Sequence, residues 1–140
     1  MSARMAVALV QAMLLAAPVC VNAAGGSGVA GSEWKPLRIG RLEVSEASSA
    51  FVQFRGQGRL EGFGGCNRLF GAYEASDGRL SVDAVAATRK ACDDAGVMQV
   101  ESALLAALED ARSYHRERIS LVVFGSTGQP LLEMRQTDWD

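Results

Sequence analysis

Histidine is almost missing from this chain: His115 is the only one in 140 residues. A Ser–His–Asp set or a Cys–His nucleophile would have to be built on that one residue. It lies in the polar run Tyr114-His115-Arg116-Glu117-Arg118, which reads as a turn. One remote histidine and few cysteines do not make a tetrahedral metal set. The carboxylate pairs Asp93-Asp94 and Asp138/Asp140 lack the alternating oxygen spacing of a calcium loop. They read as helix capping and a frayed terminus, and neither metal nor cofactor is expected. There is also no block of Lys or Arg, and the net charge is −2. That balance argues against nucleic acid and anionic membrane as partners. Beyond the first residues, no apolar run reaches membrane length.

Glycine, by contrast, is plentiful, with 15 residues, and is densest at Gly62-Phe63-Gly64-Gly65-Cys66-Asn67. This stretch lacks the third glycine of a dinucleotide fingerprint and the Gly-Lys-Ser/Thr ending of a P-loop. A strand rather than a helix follows it, which neither phosphate motif tolerates. No Gly-x-Ser-x-Gly elbow occurs. No catalytic residue is assigned, and the chain is not expected to be an enzyme.

What is present begins with a leader. Residues 1–23 carry a positive start at Arg4, an apolar run over Met5–Ala17, and the small-x-small end Val21-Asn22-Ala23. This is the pattern of a signal peptide cut after Ala23. Cys20 raises a lipoprotein alternative, in which the cysteine becomes the lipidated first residue. The bulky Val19 before it weakens that reading, so a membrane anchor is expected only if Cys20 is lipidated. Residues 24–31, rich in Gly, Ser and Ala, read as a flexible spacer, and the folded domain is placed at 32–140. The expected location is the periplasm or the exterior, with an outer-membrane lipoprotein as the alternative.

Within that domain, Glu33–Gly40 alternates apolar and charged residues and reads as an edge strand that tolerates Pro36. Ala50–Arg55 and Arg59–Phe63 read as a hairpin turning at Gly56-Gln57-Gly58, with Val52 and Phe54 on one face and Gln53 and Arg55 on the other. Leu69–Glu74 and Arg79–Val82 follow, joined by the turn signal Ala75-Ser76-Asp77-Gly78. Val97, Val100, Leu104, Leu108 and Ala111 recur at helical spacing and predict one helix over Val97–Arg112, with Glu101 among the residues off that stripe. Ile119–Phe124 and Leu131–Arg135 end the chain as strands. The fold class is α+β: a curved antiparallel meander, a partial barrel, packed around one main helix.

Cleavage after Ala23 leaves an even pair, Cys66 and Cys92. In an oxidising compartment such a pair is expected to bond. Closing a loop of that length contributes roughly 3.5 kcal/mol on chain-entropy grounds. A Cys66 thiolate paired with His115, or two free thiols, are the alternatives. A bond would make Asn67-Arg68 and Thr88-Arg89-Lys90 neighbours. Asn67 and Thr88 then suit backbone ties in tight turns, and Arg68, Arg89 and Lys90 form a candidate binding patch.

The run Phe63-Gly64-Gly65-Cys66-Asn67-Arg68, then Gly71-Ala72-Tyr73, then Ala87-Thr88-Arg89-Lys90-Ala91-Cys92, then Glu101 with Leu104 and Leu108, resembles the META domain. The resemblance extends over about Trp34–Met134. Its best-known bacterial members are HslJ-like heat-shock proteins of the cell envelope. It marks Gly65, Asn67, Arg68, Gly71, Tyr73, Thr88 and Glu101 as motif residues, structural or binding. It implies a small exported domain in envelope maintenance, linked to heat stress and resistance to antibiotics such as novobiocin, with no established reaction. An unknown envelope protein or a small ligand would be its partner. The alternative is a binding module or inhibitor of an envelope or foreign enzyme, working through the face near Arg68 and Arg89.

Overall fold

The computed structural model describes residues 28–138; the leader, Cys20, most of the spacer and the last two residues lie outside them. The strands in chain order are β1 (Ser32–Ile39), β2 (Leu42–Glu43), β3 (Phe51–Phe54), β4 (Arg59–Phe63), β5 (Arg68–Ser76) and β6 (Arg79–Ala87). The helix α1 (Ala95–Asp110) comes next, then β7 (Ser113–Glu117), β8 (Ser120–Phe124) and β9 (Pro130–Gln136). All pairings are antiparallel between chain neighbours, apart from β1 with β3 and the closing pair β1 with β9. The meander expected from sequence is therefore present, but it is a closed barrel rather than a partial one. The short β2 is an appendage on β1.

Alternation decides what lies inside. Trp34, Val52, Phe54, Leu60, Leu69, Leu80, Leu121, Val123, Leu132 and Met134 fill the interior, joined by Leu104 and Leu108 of the helix. Each fully buried leucine of this kind contributes about 2 kcal/mol of transfer free energy. The helix starts at Asp94, whose carboxylate accepts from the N–H groups of Gly96 (2.9 Å) and Val97 (3.2 Å). It packs on β6 and also on β1 and β9 across the ring, so it lies over one end of the barrel. No helix among the described residues is long and apolar enough to cross a membrane.

Four expectations need correction. First, β1 is not an edge strand, because β3, β9 and β2 all pair with it. Pro36 survives there at a bulge, where the register with β9 skips Leu37 and no ladder bond depends on regular pairing. Second, Tyr114–Arg118 is mostly strand, paired with β8 from Ser113 to Glu117. Its inward positions are filled not by aliphatic residues but by Tyr114 and by Arg116, whose guanidinium lies 5.1 Å from the Trp34 ring centroid. Third, β6 runs on past Val82 to Ala87 through a bulge at Ala84, which has φ 51°. Alanine-rich sequence gives little strand signal. Fourth, packing begins inside the stretch read as spacer: Val29 is 0% exposed, and Ser32 Oγ donates to its carbonyl.

Tyr73 of β5 illustrates how the interior is locked. Its ring meets Phe54 edge-on at 5.0 Å, and its hydroxyl donates to Arg55 O at 2.6 Å. Burial pushes the hydroxyl above the ordinary tyrosine value of 10.0. The folded state thus holds this proton more tightly than the unfolded chain. Stability should be flat with respect to this group below about pH 10 and fall as pH rises beyond it. A phenolate absorbance titration should show a late component that Tyr73→Phe removes.

Candidate functional site

The glycine-rich corner between β4 and β5 meets α1 at a buried carboxylate. Glu101 is 4% exposed. Its Oε2 accepts from the N–H groups of Cys66 (3.2 Å) and Asn67 (2.6 Å), and its Oε1 accepts from Asn67 Nδ2 at 2.6 Å. These amides are free to point at the helix because the chain turns back at Gly64 and Gly65. A Cβ on Gly64 would stand 2.8 Å from Glu101 Cβ, and one on Gly65, where φ is +109°, would stand 2.9 Å from Val97 Cγ1. Only glycine allows this approach.

Asn67, 3% exposed, carries the tie onward. Its second Nδ2 proton goes to Lys90 O at 3.1 Å. Its Oδ1 accepts from Lys90 N–H at 2.6 Å and from the Thr88 hydroxyl at 3.0 Å. Both donors and both acceptor positions of the amide are therefore used, which also fixes its orientation. Thr88 Oγ1 in turn accepts from Arg68 N–H at 3.1 Å. A disulfide between Cys66 and Cys92 crosses the same corner, with Cα atoms 6.1 Å apart. Among the described residues, every buried side-chain nitrogen and oxygen has a partner.

The motif residues thus separate by position. Gly65, Cys66, Asn67, Thr88, Cys92 and Glu101 converge on one clasp joining loop, strand and helix. Gly71 and Tyr73 lie further along β5; a Cβ on Gly71 would press on the bulge at 3.1 Å from Asp83 O and 3.3 Å from Val85 Cα. The candidate patch also divides. Arg68, Arg89 and Lys90 are all exposed. Arg68 borders a groove on the outside of β3–β5, whereas Arg89 and Lys90 border a cleft against Met98 and Leu105 of α1. Lys90 enters the clasp through its backbone alone. His115 is exposed on β7, and in the structure Cys66 is bonded to Cys92 rather than available as a thiol. Among the described residues, no group of three or more His, Cys, Asp or Glu side chains is placed to hold a metal ion.

Sequence reasoning placed Glu101 off the core stripe, yet it is on it. Positions 101, 104 and 108 share one helix face, and a charged residue on that face was itself the signal of a buried acceptor. The outward phenylalanines on β3–β5 were also missed, although alternation puts Phe51 on the same side as Gln53 and Arg55.

Comparison with known proteins decides the family. The META domain profile matches residues 27–138. The chain belongs to the META domain family. Its fold is similar to an NMR structure of a protein from Burkholderia xenovorans, with a TM-score of 0.64 and 25% identity over 79% of this chain and 85% of that one. A second NMR structure of a protein matches with a TM-score of 0.60 and 17% identity, over 74% and 87% of the two chains. No curated protein matches. The ordered motif that marks this META domain is, in three dimensions, largely the clasp: the glycines admit the helix, and Asn67, Thr88 and Glu101 spend their hydrogen bonds on holding it.

Proposed function

We propose that this META-domain protein is exported, is periplasmic or secreted, and works without catalysing a reaction, in envelope maintenance and tolerance of heat or antibiotic stress. The observation that carries the reading is the clasp. Its polar side chains are committed to backbone and to one another, which favours a scaffold over a reactive centre. Its disulfide suits an oxidising compartment, in keeping with the leader pattern at residues 1–23. Mass spectrometry of protein recovered from cell fractions tests export directly. The expected species begins at Ala24, carries no lipid, and is lighter by one pair of hydrogens than its reduced form. A cytosolic protein with both thiols free would remove the basis of the reading. A strain lacking the protein should grow less well under heat or envelope-directed antibiotics.

The second reading is a binding module whose partner is an envelope protein or a small ligand. It is favoured by Arg68, which stands exposed at the edge of an apolar groove.

A further inference from the structure

Of the five phenylalanines only Phe54 lies in the buried core, and three of the others share one outer face. Phe51, Phe63 and Phe70 stand on β3, β4 and β5, and the ladder fixes their layout. Phe51 faces Phe63, which faces Arg68; in the next row Gln53 faces Glu61, which faces Phe70. On the same strands Val52, Leu60 and Leu69, at alternate positions, occupy the interior, so these side chains project outward. Phe70 is 48% exposed. A single exposed ring needs no explanation, but three in neighbouring rows of adjacent strands make a patch of the kind that marks recognition.

The patch is a groove of about 590 Å³. Its two arginines differ. Arg55 Nε lies 2.6 Å from Glu61 Oε2, so that cation is already paired. Arg68 takes part in none of the ion pairs among the described residues. Its backbone N–H is held by Thr88 Oγ1, which anchors the residue at the groove margin and leaves the guanidinium to the solvent side.

We propose that this groove binds a small planar aromatic anion, with its ring against the phenyl groups and its carboxylate, sulfonate or phenolate on Arg68. Aromatic side chains prefer offset or edge contacts with flat rings, and a guanidinium pairs strongly with an oxyanion. One uncompensated cation matches one anionic group. A nucleic-acid strand would need a track of cations, whereas here Glu61 sits beside the second arginine. An added peptide strand would need an open edge, whereas β3, β4 and β5 are each paired on both sides. The site gives the binding reading a place and a ligand class, and it does not depend on where the protein resides.

The test uses the purified protein and two fluorescent probes, anilinonaphthalene sulfonate and its uncharged relative phenylnaphthylamine. The sulfonate should bind saturably at one site. Arg68→Gln should weaken it about tenfold or more, while changing the uncharged probe by less than about twofold, since only the charge-assisted contact is lost. Phe70→Ser should weaken both probes. Ile119→Ser, at the other exposed large apolar side chain (43% exposed), should change neither. Both groove positions are exposed, so an unchanged melting temperature will show that the variants fold. Sulfonate binding that is absent, that does not saturate, or that survives both groove substitutions overturns the proposal. So does an equal loss of charged and uncharged probe in Arg68→Gln.

Discussion

Glu101→Ala should destabilise the protein by about 3 kcal/mol or more, since each buried donor left without an acceptor costs about 1–3 kcal/mol. The loss has two parts. The N–H groups of Cys66 and Asn67 and one proton of the Asn67 amide each lose their acceptor at a site closed to water. A cavity opens beneath Gly64, whose missing side chain was the space that Glu101 fills. Glu101→Gln should cost less, about 1–2 kcal/mol, because one oxygen still accepts the two backbone N–H groups. Its amide nitrogen, however, then confronts the donor of Asn67. Urea denaturation of the three proteins measures both numbers. An alanine variant within about 1 kcal/mol of the parent would show that water or a rearranged loop replaces the carboxylate.

Loss of the Cys66–Cys92 bond, by reduction or by serine at both positions, should cost roughly 3.5 kcal/mol. For a domain of this size that lowers the melting temperature by on the order of 10–20 °C. The disulfide and Glu101 secure the same corner, so the two losses should not add. With the bond broken, the segment leading into α1 is held to the glycine-rich corner through the Thr88 and Lys90 hydrogen bonds, and part of what Glu101 contributes is already forfeited. A double-mutant cycle should therefore show a coupling of about 1 kcal/mol or more. Additive losses would mean that the disulfide acts on the unfolded chain alone.

How much of this was readable from the residues follows from what each signal reports. The meander was legible because Val52/Phe54 and Gln53/Arg55 alternate, and turn glycines punctuate the runs. The helix was legible from Leu104, Leu108 and Ala111, although it begins two residues earlier than the apolar pattern suggested, at the Asp94 cap. Closure of the ring was not legible, because β1–β9 pairing joins residues about a hundred positions apart and leaves no local trace. Ser113–Glu117 was obscured for a different reason: one of its inward sites holds Arg116, whose stem packs like a hydrophobe while its head reads as polar. At the site, the resemblance to the META domain pointed to Gly65, Asn67, Thr88 and Glu101, which the fold brings together, but the bonds they make are not written in the residues. Nothing in the spacing of Asn67, Lys90 and Glu101 says that one amide would satisfy both of the others.

The pairing of β1 with β9 bears on how the chain reaches its final form. Glu33 and Thr137 bond across the join, with Thr137 N–H donating to Glu33 O at 3.0 Å and Glu33 N–H donating to Asp138 Oδ1 at 2.8 Å. Strands β1 and β9 thus complete each other, and neither has its full set of neighbours until both have been made. Such distant pairing is slow to form. The ring stays open along this seam until Gln136 can reach Trp34, so closure of the barrel waits on β9.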